Sequence, residues 1–91
     1  MPGHSRTRIK ICGVTREQDI DIAISLGVDA IGLVFYPHSP RYLSLERANQ
    51  LVRCLPPFIT LVGLFVNATP AQLAATLEHI PLTSLQFHGD E

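Results

Sequence analysis

An α/β fold of parallel strands in the order βαβαβαβ is what this sequence predicts, and three observations predict it. Short runs rich in β-branched and aromatic residues alternate with stretches whose apolar residues fall at helical spacing. Each boundary carries a capping residue, a glycine or a proline. In the first and last strand runs only one face is apolar, because successive side chains of a strand point to opposite sides.

Taken in order, strands are expected near 9–14, 30–35, 60–66 and 84–88, and helices near 16–26, 45–55 and 70–80. Residues 1–8 form a polar, basic stretch with no apolar run behind it, so they read as a flexible tail rather than a leader or anchor, and 9–91 as one folded unit. After the first strand, Thr15 and Gln18 stand at capping-box spacing; Ile20, Ala23 and Ile24 then give the helix one apolar face, and Gly27 suits its end. The second strand leads into a long loop, 36–43, where Pro37 and Pro40 forbid both helix interior and central strand. Ser44 opens the second helix, which carries Leu45, Ala48, Leu51, Val52 and Leu55 before Pro56 and Pro57. Thr69, Pro70 and Gln72 occupy the N-cap, N1 and N3 positions of the third helix, with Leu73, Ala74, Leu77 and Ile80 as its expected buried side. Gly32 and Gly63, in GLVF and GLFV, form a faint echo between units.

Strands that alternate with helices are parallel, since a parallel partner cannot be reached by a tight hairpin. Parity then separates two architectures. Lys10 and Cys12 share one face of the first strand while Ile9 and Ile11 share the other; in the fourth, Gln86 and His88 oppose Leu85 and Phe87. An open sheet covered by helices on both sides favours apolar residues on both. A barrel strand can turn polar side chains toward the interior or its mouth. The fold expected is therefore about the first half of a (β/α)8 TIM barrel, incomplete and not closed by this chain alone.

Composition excludes several function classes. At 91 residues and 46% hydrophobic content the chain suits one domain, and a formal net charge of −1 with interspersed signs offers no basic footprint for nucleic acid. Its longest apolar stretches, 30–36 and 58–66, fall well short of the roughly 18 residues of a membrane helix. Two cysteines without a CxxC make neither a disulfide scaffold nor a zinc site, which fits a reducing cytoplasm. His4, His38 and His79 are scattered, so no metal is expected, and the single glycine of Cys12-Gly13-Val14-Thr15 is no dinucleotide fingerprint.

Four segments in order, Lys10-Ile11-Cys12-Gly13, Gly32-Leu33-Val34-Phe35 with Ser39-Pro40-Arg41, Val62-Gly63-Leu64-Phe65-Val66 and Leu85-Gln86-Phe87-His88-Gly89, resemble the successive signatures of phosphoribosylanthranilate isomerase, in its N-terminal portion only. Each stands at the C-terminal end of an expected strand, where barrel active sites lie. The resemblance implies an isomerase of tryptophan biosynthesis that needs no cofactor. Its reaction is the Amadori rearrangement of N-(5-phosphoribosyl)anthranilate to 1-(2-carboxyphenylamino)-1-deoxyribulose 5-phosphate.

By the same resemblance Cys12 is the general base, which requires thiolate character. Lys10, on the same face, is a candidate source of positive charge or a structural lysine of the barrel floor. Arg41 is the residue that meets the anthranilate group, a role that suits a guanidinium fork and its planar face. His88 is a substrate-facing strand-end histidine. Gln86 reads as interior packing, Cys54 as a small buried hydrophobe, and Asp90 and Glu91 as solvated. The family's general acid, an aspartate on a later strand, and its phosphate cradle lie outside this sequence. Turnover is therefore expected only with a C-terminal half-barrel as partner to this chain and to the phosphoribosyl substrate. The competing expectation is a non-catalytic half-barrel that self-associates or binds a partner through its exposed sheet edges.

Overall fold

The structure, a computed structural model, describes residues 8–88. All of the expected tail but Arg8 therefore lies outside the described residues, as do Gly89, Asp90 and Glu91.

Seven elements follow in order: β1 (Lys10–Cys12), α1 (Glu17–Ser25), β2 (Ala30–Val34), α2 (Leu45–Val52), β3 (Thr60–Val66), α3 (Pro70–His79) and β4 (Ser84–His88). The strands form one parallel sheet in the order β1-β2-β3-β4. In a doubly wound sheet the strand order reverses at a switch point. Here each strand pairs with the next in sequence, as in the first four strands of a (β/α)8 barrel.

Register assigns every strand residue to a face. Ile11, Ile31 and Leu61 form one row and Leu33, Gly63 and Leu85 the next, all on the side covered by the helices. Against those rows pack Ile20 and Ala23 of α1, Ala48 and Leu51 of α2, and Ile80 after α3, each at most 1% exposed. Burying each isoleucine or leucine side chain contributes about 1.5–3 kcal/mol, so this layer holds the unit together. The other face carries Lys10, Cys12, Gly32, Val62, Ser84, Gln86 and His88. Lys10 Nζ donates to Gln86 Oε1 at 2.6 Å across that face. Those residues stand on the two outermost strands, three spacings of about 4.8 Å apart. Side chains leaving a flat sheet at right angles would not meet over that span, so this face is concave.

Several local expectations need correction. Thr15 does not cap α1: Arg16 is the N-cap, in extended conformation and without a side-chain cap bond, and its guanidinium reaches Asp19 at 3.0 and 3.2 Å. The Thr15 carbonyl accepts from Arg47 of α2 instead of standing at the head of the helix. Helix α2 stops at Val52 because the chain tightens into three-residue turns, Cys54 N–H to Leu51 O and Leu55 N–H to Val52 O, ahead of the two prolines. Cys54 is consequently exposed rather than buried. The GLVF and GLFV echo is out of register by one residue, since Gly32 pairs with Val62 and Gly63 with Leu33, so the two glycines face opposite sides. In α3 the residues facing inward are Leu73, Thr76 and, at the cap, Ile80; Ala74 and Leu77 are exposed.

That last departure has a simple cause. Leu77 of α3 and Leu85 and Phe87 of β4 stand at one margin of the unit, and Ile9, Ile22 and Leu26 at the other. All six are large, apolar and at least 39% exposed. A barrel's neighbouring βα units would cover these margins.

Candidate active site

The C-terminal ends of the strands hold the chemically capable residues. Strand β1 ends at Cys12, whose free thiol is half-buried. Its neighbour on β2 is Gly32; a Cβ built there would lie 2.9 Å from Cys12 Sγ. The missing side chain of Gly32 thus leaves the space into which the thiol leans, on the concave face and away from the helices. Gly13 follows with φ +84°, a left-handed conformation that an L side chain adopts only under strain, and its N–H extends the ladder to Gly32 O at 3.0 Å.

Arg41 arrives from the loop after β2. Ser39 Oγ accepts from the Arg41 N–H at 3.1 Å, and Tyr42 N–H returns to Ser39 O, a tight turn that Pro40 favours. Tyr42 bridges Val34 and Leu43 N–H bonds Val34 O, tying the loop's far end back to β2. The side chain then lies across Gly13: a Cβ there would come within 2.6 Å of Arg41 Cδ and 2.7 Å of Cζ. Arg41 Nη1 donates to the Cys12 carbonyl at 3.3 Å. Backbone without a side chain is what lets this guanidinium settle on the strand end.

His88 closes β4 on the concave face, and Gln86 Nε2 lies 3.3 Å from its Nε2. Lys10 and Gln86 touch across the face; Cys12 and His88 are each two residues further along their parallel strands, on the same side. By register Cys12 lies in one row with Gly32, Val62 and Ser84, and His88 stands four residues further along β4 on the same face. The structure therefore brings Cys12 and Arg41 into direct proximity and turns His88 to the same rim.

Sequence reading missed two contributors. Arg47 makes a bidentate pair with Glu17, both bonds 2.7 Å, and reaches Thr15 O at 3.3 Å. It ties α2 to the loop that follows Cys12, and it holds the Glu17 carboxyl down at about 2. A pair separated by thirty residues leaves no local signal. Gln86, read as packing, instead links Lys10 to His88.

The larger cleft, about 530 Å³, lies between the β2–α2 loop and the start of α3, lined by Tyr36, His38, Asn67 and Gln72 among others; it holds none of Cys12, Arg41 and His88. A smaller groove of about 220 Å³ runs from Ile11 to Gly13 beside Ile22 and Ala23, along the open edge of β1. It lies at the helix-covered margin, opposite the concave face. Among the described residues no group of three or more His, Cys, Asp or Glu is placed to hold a metal ion, and no helix is long and apolar enough to cross a membrane.

Comparison with known proteins adds the following. Residues 9–91 match the family described as N-(5'phosphoribosyl)anthranilate (PRA) isomerase. N-(5'-phosphoribosyl)anthranilate isomerase of Leptothrix cholodnii is 62% identical over 87 residues, 96% of this chain and 40% of its own length. That of Ralstonia pickettii is 58% identical over all 91 residues, 39% of its length. The crystal structure of phosphoribosyl anthranilate isomerase from Thermotoga maritima superposes with a TM-score of 0.89 at 42% identity, over 94% of this chain and 42% of that one. A phosphoribosyl anthranilate isomerase in complex with reduced 1-(o-carboxyphenylamino)-1-deoxyribulose 5-phosphate gives the same score and identity, over 94% and 44%. The chain thus spans about 40% of the length of the curated relatives it matches.

Proposed function

Because this chain belongs to the N-(5'-phosphoribosyl)anthranilate isomerase family, we propose that it supplies the base-bearing part of the active site for that Amadori rearrangement. In this reading an acid protonates the ribose ring oxygen, the C1–O bond breaks, and the nitrogen lone pair forms the protonated imine. The Cys12 thiolate removes the proton from C2, and its electron pair moves to give an enolamine. Tautomerisation of the enol then yields the aminoketose. The substrate's own atoms undergo the whole change, so the reaction is redox-neutral and calls for no cofactor.

The observation that carries the reading is the position of the Cys12 thiol, leaning over Gly32 on the concave face with the Arg41 guanidinium fixed on the adjacent Gly13. A base beside a cationic fork suits a substrate whose aromatic ring bears a carboxylate. His88 offers the same mouth a hydrogen-bonding group. The acid and the phosphate cradle are the contribution of a C-terminal half-barrel, whose neighbouring units would also cover the apolar margins at Phe87 and Ile22.

Reconstitution tests this directly. Substrate fluorescence is followed with the chain alone, with a C-terminal half-barrel of the family alone, and with both. Turnover is expected only from the mixture, and it falls by at least about 100-fold in Cys12→Ala, the scale on which a positioned acid–base group contributes. Turnover that survives Cys12→Ala overturns the base assignment. A mixture that stays inactive while the chain forms a stable homodimer supports a non-catalytic half-barrel instead.

A further inference from the structure

The row Lys10–Gln86–His88 sets a direction of hydrogen bonding as well as a position. A lysine ammonium carries three donors and no acceptor. The Gln86 amide atom 2.6 Å from Lys10 Nζ must therefore be its oxygen, which turns Nε2 toward His88, 3.3 Å from the ring's Nε2. An amide nitrogen donates and does not accept. In the neutral ring the nitrogen that meets it must bear the lone pair, which puts the single proton on Nδ1. Were the amide reversed, two donors would face each other at Lys10.

We infer that Lys10 and Gln86 are positioning residues that hold His88 as its Nδ1–H tautomer, leaving that N–H as the ring's donor for an oxygen acceptor of the substrate. The inference deepens the isomerase reading and rests on it for the substrate, but not for the tautomer. Histidine in water favours the proton on Nε2, so the arrangement has a distinguishing mark. Its logic matches that of a metal-ligating histidine, whose free nitrogen is set by what its other nitrogen meets. Here the setting group lies one pleat deeper in the same strand, and it is itself oriented from the far side of the concave face by Lys10.

Ring-nitrogen NMR of the 15N-labelled chain in alkaline buffer tests this. Wild-type His88 is expected to show Nε2 as the downfield, unprotonated nitrogen. Lys10→Met removes the donor that orients the amide and Gln86→Met removes the amide itself; both are expected to shift the ring toward Nε2–H. Lys10→Arg, another donor-only cation, is expected to retain the wild-type pattern. A wild-type ring protonated on Nε2 overturns the inference even if no variant folds, and so does an unchanged pattern in a folded Lys10→Met. The readout needs no turnover. An inactive reconstituted barrel with an Nδ1–H His88 would count against the isomerase reading alone, and an active one with Nε2–H against this inference alone.

Discussion

Replacing Gly13 with alanine separates the two things that hold the end of β1, its backbone conformation and the guanidinium that rests on it. At φ +84° an L residue is strained, by about 1–2 kcal/mol. The new methyl would also stand 2.6 Å from Arg41 Cδ, closer than carbon atoms approach. Arginine is flexible, so it swings away rather than distorting the strand, and the loss is its bond to the Cys12 carbonyl. In this exposed setting that bond is worth about 0.5–1 kcal/mol, the lower part of the usual range. Gly13→Ala is therefore expected to destabilise the chain by about 1.5–3 kcal/mol, from both causes together. Urea unfolding followed by far-UV circular dichroism measures it, and a double-mutant cycle with Arg41→Ala divides it. In the Arg41→Ala background only the backbone part should remain, leaving a coupling of about 0.5–1 kcal/mol. Strict additivity would mean that Arg41 does not rest on Gly13. A cost below about 0.5 kcal/mol would remove the argument that this turn requires glycine.

Three further outcomes follow from the same geometry. Leu51 is fully buried between α2 and the sheet, so Leu51→Ala should cost about 2–5 kcal/mol in urea unfolding. Thr69 and Gln72 form a reciprocal capping box at 2.8 and 3.1 Å; Thr69→Ala should cost about 0.5–2 kcal/mol, whereas the exposed Ala74→Ser should change little. The Arg47 guanidinium lowers the Glu17 carboxyl from its ordinary 4.5 to about 2, and Arg16 lowers Asp19. The folded form thus holds fewer protons than the unfolded one, and the stabilisation is full above the ordinary carboxylate range and lost as pH falls through it toward the folded value. Wild-type should lose its stability advantage over Glu17→Gln across that interval, and an advantage that persists at pH 2 would contradict the pairing.

How much of this was legible in the sequence depended on whether the cause was local. Thr69-Pro70-Gln72 carries its own start signal within four residues, and the structure forms that cap. Strand parity, local by nature, separated Lys10 and Cys12 from Ile11, and pointed to a barrel rather than an open sheet. Thr15 shows the opposite case, because the helix starts one residue later than its sequence suggests and the Thr15 carbonyl is bonded by Arg47, thirty-two residues away. The face of α3 was misjudged because Leu77 is apolar at helical spacing yet has no partner layer among the described residues. For the candidate site, Cys12, Arg41 and His88 were reached by resemblance, whereas the part Gln86 plays emerged only when β1 and β4 were brought face to face.

The strand order has a consequence for how such a chain emerges from the ribosome. Lys10 pairs with Ala30, Ala30 with Thr60 and Val62 with Ser84, so each ladder is completed by residues synthesised shortly after the strand they join. No early strand waits for a distant partner within this unit. Nascent βα pieces can dock in the sequence of their translation, each using the last as a template, at the modest loop-closure cost of segments a few tens of residues long. The newest strand is then always the growing point, and within this unit β4 joins last, on the edge that β3 presents.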